Sequence, residues 1–118
     1  MHLHRSIMHN AIASALWGSG SSENIALAVL PVFHITGMVS VMHTTIYSGG
    51  TLVLMPRWDR DLAGRMISRH KVTNWTNVPT MIIDLLGSPH FAQYDLTSLV
   101  YIGGGGAAMP QEIGRAHV

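Results

Sequence analysis

The chain has 118 residues, 47% of them hydrophobic and 11% charged, and Lys plus Arg exceed Asp plus Glu by a single charge. That length fits one domain, and the balance excludes both the basic footprint of a nucleic-acid binder and a polybasic membrane arm. Zero cysteines exclude a disulfide framework, a cysteine zinc site and a thiol nucleophile, while charge this far below the usual value of about a quarter marks a chain that is mostly interior or a piece of something larger.

Residues 3–17 place Leu3, Ile7, Ala11, Ile12 and Leu16 near one helical stripe, and the segment MHLHRSIMHN lacks the apolar core of a signal peptide. Gly18-Ser19-Gly20-Ser21-Ser22 breaks that helix. Residues 25–30 are a continuous apolar run, the pattern of a strand buried on both faces, closed by Pro31. Residues 37–47 are apolar nearly all round and predict a buried helix, too short to cross a bilayer and stopped by Gly49-Gly50. Residues 51–55 predict a second buried strand, ended by Pro56. Residues 59–70 predict an amphipathic helix capped by Asp59, with Leu62, Met66 and Ile67 on one face and Arg60, Arg65 and Arg69 on the other. A third strand is expected over 72–78, a helix opened by Pro79 runs to residue 86, and a fourth strand over 96–103 leads into GGGGAAMP, where Pro110 starts a last helix. Helices alternating with strands imply an α/β fold with a parallel sheet and right-handed crossovers. Both faces of such a sheet are covered, which accounts for the low charge without a membrane.

Ligands of open parallel sheets bind beyond the carboxyl ends of the strands, and two segments there carry unusual residues. Gly103 to Gly106 let the backbone approach a ligand closely, and strand, glycines and helix start together suit a nucleotide. The match of Gly103, Gly105 and Ala108 to G-x-G-x-x-A is weak, because a run of four glycines satisfies most of it and the fingerprint belongs to the first strand of its unit. A plain turn is the other reading. His34, in PVFHITG, either orients or neutralises an anion near neutral pH or is a structural histidine bonded to a carbonyl. Histidines 2, 4 and 9 have no carboxylate beside them and make a poor metal site. No serine lies in G-x-S-x-G, so esterase chemistry is not indicated. Asp59 and Asp61 read as a helix start, Trp58 and Trp75 as core, and Thr80 as the opening turn of a helix with a pocket role left open.

LAVLPVFHITGM, SGGTLVLM, NWTNVPTM and LVYIGGGGAAMP, in that order and spacing, resemble the AMP-forming acyl-CoA synthetases, most of all bacterial long- and medium-chain fatty-acid–CoA ligases. The resemblance covers nearly all of residues 1–111 and implies an incomplete fragment of a larger N-terminal, AMP-binding domain of a cytoplasmic enzyme. It implies a carboxylic acid, ATP and coenzyme A as partners, with Mg²⁺ held by residues outside this chain. The acid would attack the α-phosphate to give acyl-AMP and pyrophosphate, and CoA would then displace AMP. By position, His34 matches the catalytic residue at the junction of acyl group and phosphate, and Gly37 the glycine that keeps the acyl pocket open. Ile35, Thr36 and Thr80 fall on the substrate side. Gly104 and Gly105 match the wall between acyl chain and nucleotide. Gly105, Gly106, Ala107 and Ala108 match the adenine side, although the family often has proline where Ala108 stands. The family's phosphate loop is expected upstream of Met1, and its Thr-Glu pair, ribose aspartate and catalytic lysine downstream of residue 111, so the chain alone is expected to be inactive. Two other classes stay open: a truncated Rossmann-like nucleotide module and a small non-catalytic α/β interaction domain. Back-translation of EIGRAHV as GAG ATC GGA AGA GCA CAC GTC resembles a short-read sequencing adapter, so residues 112–118 are expected to be read-through rather than natural sequence.

Overall fold

Short apolar runs bounded by turn residues become strands because a parallel sheet buries them on both faces. In the computed structural model, which describes residues 1–18 and 20–105, four such strands form: β1 (Ile25–Ala28), β2 (Thr51–Leu54), β3 (Asn74–Asn77) and β4 (Tyr101–Gly104). All pair in parallel, in the order β2-β1-β3-β4. The register sets Ile25 beside Thr51, Leu27 beside Trp75 and Asn77 beside Gly104. The helices are α1 (His4–Trp17), a π-helix (Thr36–His43) continued by α2 (Thr44–Ser48), α3 (Arg60–His70) and α4 (Pro79–Leu86).

The two faces of the sheet differ because side chains alternate along a strand. Leu27, Val29 and Trp75 pack with Ala63, Ile67, Ile82 and Leu85 of α3 and α4 into the main core. The opposite face of β1 carries Ala26 and Ala28, which form a small second cluster with Val41. Large residues fill one side of the sheet, and alanines leave depth on the other.

Local signals place the ends. Asp59 caps α3 by accepting from the backbone N–H groups of Asp61 (3.0 Å) and Leu62 (3.1 Å). Pro79 opens α4. Gly49 closes α2 at φ 77°, a left-handed conformation that glycine adopts without strain.

Several expectations change. Helix α1 buries Ala11 and Ala15, not its larger residues, and Leu16 is 75% exposed. Strand β2 lies at a sheet edge with Thr51 and Leu54 exposed, because the chain turns back across β1 after it. The strand after residue 96 is confined to Tyr101–Gly104, since Asp95 accepts from the N–H and hydroxyl of Thr97 and holds the preceding residues in a turn. The helix expected over 37–47 is a π-helix over Thr36–His43, and it is not apolar all round. Thr44 and Ser48 fold their hydroxyls back onto the carbonyls of Val39 and Thr44 (both 2.9 Å), which makes a hydroxyl-bearing face compatible with packing. The helix expected from Pro110 and the tail 112–118 lie outside the described residues.

Candidate functional site

Strand order places the crevice. The chain moves from β1 to β2 on one side, then returns past β1 to β3 and on to β4. The order therefore reverses between β1 and β3, and right-handed crossovers then send the following helices to opposite faces. The loop leaving β1 carries His34, and the first turn of α4, which follows β3, carries Thr80.

His34 sits in a tight turn after β1: its N–H donates to the Pro31 carbonyl (3.1 Å), and its own carbonyl accepts from Met38 N–H (2.9 Å). Its Nδ1 accepts from the backbone N–H of Thr36 (3.2 Å). A ring nitrogen that accepts carries no proton, so the neutral imidazole bears its hydrogen on Nε2, the atom left to engage a ligand. The partner is thus a backbone donor, not the carbonyl of the structural reading. Among the described residues no side-chain acceptor occupies Nε2, and the residue is exposed.

Gly37 is buried at the start of the π-helix, where a Cβ would fall within 2.7 Å of the Leu30 carbonyl oxygen and closer still to that of Pro31. Glycine is required here so that the helix can begin against the turn that presents His34.

A cavity of about 450 Å³ lies between the alanine face of the sheet and the helices above it. Ser14 and Ala15 of α1 form one wall, and Thr36, Ser40 and Val41 of the π-helix another. Ala26, Asn74 and Thr76 make the floor with Tyr101 and Gly103, and Gly104 and Gly105 close the end at the β4 loop. No charged side chain lines it among the described residues, so it suits the uncharged part of a ligand.

Of the residues singled out in the sequence, the cavity gathers Thr36, Gly103, Gly104 and Gly105. His34 and Ile35 are exposed beside it in the β1 loop, Gly37 supports that loop, and Thr80 is exposed at the start of α4. Gly106, Ala107 and Ala108 lie outside the described residues. Sequence reasoning missed Ser40, Thr76 and Tyr101. The signal for the first was present: Thr36, Ser40, Thr44 and Ser48 repeat a hydroxyl every fourth residue. A π-helix, whose turns close at i+5, brings Thr36, Ser40, Val41 and Thr45 to the same side.

On the opposite side, Asp61 of α3 accepts from the hydroxyls of Ser88 (2.5 Å) and Tyr94 (2.7 Å). The Ser88 bond, then the Tyr94 bond, lowers the Asp61 carboxyl below its ordinary range. Burial, then the same carboxylate, pushes the Tyr94 phenol up. An ionised carboxylate with two donors staples α3 to the segment after α4. It borders an open depression of about 750 Å³ that also includes Arg65, Arg69 and His90.

A family model described as "AMP-binding enzyme" matches residues 1–117. The chain is 33% identical over 115 residues to a long-chain-fatty-acid–CoA ligase of Bacillus subtilis, covering 96% of this chain and 20% of that protein. It is 35% identical over 92 residues to 4-coumarate–CoA ligase 3 of Arabidopsis thaliana, covering 78% of this chain and 16% of the relative. The N-terminal domain of FACL13 from Mycobacterium tuberculosis superposes with a TM-score of 0.82 at 27% identity, over 94% of this chain and 28% of that one. The chain thus spans about a fifth or less of the length of these two curated relatives.

Proposed function

This chain belongs to the AMP-binding enzyme family, and from that premise we propose that its whole protein is an AMP-forming acid–thiol ligase that activates a carboxylic acid of the fatty-acid type and passes the acyl group to coenzyme A. One observation carries the reading. His34, with Nε2–H free, stands at the strand-order reversal and is tied through Thr36 to an uncharged cavity.

The reaction joins two anions, so donors are needed where their charges meet. An oxygen of the acid's carboxylate attacks the α-phosphorus of ATP, and pyrophosphate leaves with the bonding electrons. In the second step the thiolate sulfur of CoA bonds to the acyl carbon and AMP leaves, the thiol proton passing to solvent. In this scheme His34 Nε2–H donates to an oxygen at the carboxylate–phosphate junction. Its other nitrogen is occupied by Thr36 N–H, which fixes the ring's tautomer and orientation. The cavity receives the acyl tail and keeps water from it. The Gly104-Gly105 backbone borders the tail on the side where the nucleotide would lie, with Gly106, Ala107 and Ala108 beyond.

Mg²⁺ would neutralise the phosphates when bound. Among the described residues no group of three His, Cys, Asp or Glu side chains could hold a metal. Among the described residues the chain contributes these walls and His34 to the site, and the 118-residue chain by itself is expected to give no adenylate. The test uses the full-length parent. Acid-dependent release of pyrophosphate and AMP, with a CoA thioester seen by mass spectrometry, is expected; ADP as product, or turnover indifferent to the acid, would overturn the reading.

A further inference from the structure

We infer that Asn77 is a positioning residue for the nucleotide: as the nucleotide seats, its buried carboxamide oxygen accepts the backbone N–H of Gly105 and so fixes the start of the loop that leaves β4. The inference rests on the ligase reading and deepens it. Asn77 is the last residue of β3, the strand that lies between β1 and β4, so it stands between the loop that carries His34 and the glycines after β4. It is 1% exposed, and its Oδ1 has no hydrogen-bond partner among the described residues. A buried acceptor loses its bonds to water and here gains none in return, a cost that an apolar residue would spare the fold. The NH₂ of the same side chain reaches back along the strand to the Trp75 carbonyl at 3.4 Å. The oxygen lies on the other branch of the planar carboxamide, away from that carbonyl.

The ladder beside this residue is one rung short. Where β1 and β2 end, with Ala28 registered on Leu54, Met55 N–H adds a last bond to the Ala28 carbonyl at 3.0 Å. Strands β3 and β4 end with Asn77 registered on Gly104, but the corresponding Gly105 N–H makes no backbone hydrogen bond among the described residues. An unmet donor and a buried, unmet acceptor therefore sit one residue apart across the end of one ladder. Gly105 has space around it, since a Cβ built there would meet nothing within 4 Å. Joining the two groups repays the cost of burying the carboxamide and holds the glycine backbone that borders the nucleotide. Trp75 Nε1 is also buried without a partner, and an enclosed water linking it to Asn77 Oδ1 would make the residue purely structural. The two roles give opposite results on substitution.

The experiment uses the full-length parent and Asn77→Leu, which keeps the branched shape and removes both polar atoms. If Asn77 serves the nucleotide, the variant melts no lower than the unsubstituted parent, because a buried unmet acceptor is gone. Its KM for ATP should rise about tenfold, with KM for the acid within about threefold of the parent's. In the unsubstituted parent, hydrogen exchange of the Gly105 amide should slow about tenfold when a non-hydrolysable ATP analogue binds, and clearly less in the variant at saturation. An unchanged KM for ATP, both KM values rising alike, or no slowing at Gly105 in the parent overturns the inference and leaves the ligase reading standing. A variant that melts lower or fails to fold also overturns it, in favour of the enclosed water. No acid-dependent pyrophosphate release by the unsubstituted parent overturns the ligase reading, and this one with it.

Discussion

The ring of Tyr101 lies over Gly103, two residues further along the same face of β4. A Cβ built on Gly103 would fall 2.5 Å from the phenol carbon Cζ and closer still to the hydroxyl oxygen. The glycine is therefore what lets an aromatic ring lie along the cavity floor. Gly103→Ala should lift the ring into the cavity, an overpacking change that costs about 1–3 kcal/mol. In the full-length parent we expect KM for the acid to rise about tenfold or more with ATP binding little changed. Steady-state kinetics in both substrates read this directly, and an unchanged KM for the acid would mean that the cavity does not hold it.

His34 offers a test that separates its two nitrogens. Loss of a single preorganised donor at a developing charge typically costs about 10²–10³ in kcat, so His34→Ala should lower kcat of the parent by that order. Glutamine places an amide NH₂ near the position of Nε2, and asparagine near that of Nδ1. Rescue by His34→Gln but not by His34→Asn is the expected pattern, measured as kcat with acid and ATP saturating.

Trp58 and Trp75 stack with ring centroids 5.9 Å apart and planes 12° from parallel. The Trp58 indole N–H also donates to Asp84 Oδ2 at 2.7 Å, and Arg60 reaches Oδ1 of the same carboxylate at 3.4 Å. Trp75 is 2% exposed in the main core, so Trp75→Ala should destabilise the domain by about 3–5 kcal/mol. Trp58→Phe keeps an aromatic partner and loses one hydrogen bond, about 1 kcal/mol. Hydrogen exchange of the α3 and α4 amides in the parent should show that ranking.

The order of elements was legible because each rests on a local pattern: the apolar run of β1, the Asp59 cap of α3, the Pro79 start of α4. What was not legible depends on contacts distant in sequence. No local feature of TLVL says that β2 is an edge strand; that follows from the chain crossing back past β1. Gly37 resembles a pocket glycine in sequence, yet its neighbours are the carbonyls of Leu30 and Pro31. The hydroxyl repeat from Thr36 to Ser48 was visible, but Met38, Val39, Val41 and Met42 between its members made the segment look uniformly apolar. His34 stood out because it is a lone titratable ring in an apolar loop, whereas the hydrogen bond that sets its tautomer needed coordinates.

The staple at Asp61 has a pH signature. Its carboxyl is lowered in the folded chain, first by Ser88 and then by Tyr94. A group with a depressed folded value contributes stability that is complete above its unfolded value, about 3.9, and is lost as pH falls through the folded one. Protection of the α3 and α4 amides should therefore fall as pH drops below about 4. Asp61→Asn should lose protection at pH 7 and show a shallower decline on the acid side. A variant that declines as steeply as the natural protein would assign the acid sensitivity elsewhere. Asp95, lowered by Thr97 first and then by Lys71, is the control that acts in the same direction at a different place.

The edges of the sheet carry the last prediction. Leu54 on the β2 edge is 66% exposed, Trp17 at the end of α1 is 90% exposed and Phe33 in the β1 loop is 91% exposed. Unpaired edge strands present rows of free N–H and C=O groups, and apolar side chains beside them make such edges adhesive. The 118-residue chain, expressed alone, should form concentration-dependent oligomers. Lysine is the residue by which natural edges are protected, and Leu54→Lys places it at the most exposed apolar position of β2 without touching the main core. Sedimentation velocity over a tenfold range of concentration should show the unsubstituted chain's weight-average mass rising and that of Leu54→Lys rising less. An unsubstituted chain that sediments as a monomer throughout, and melts cooperatively, would show that these edges are already satisfied within the fold.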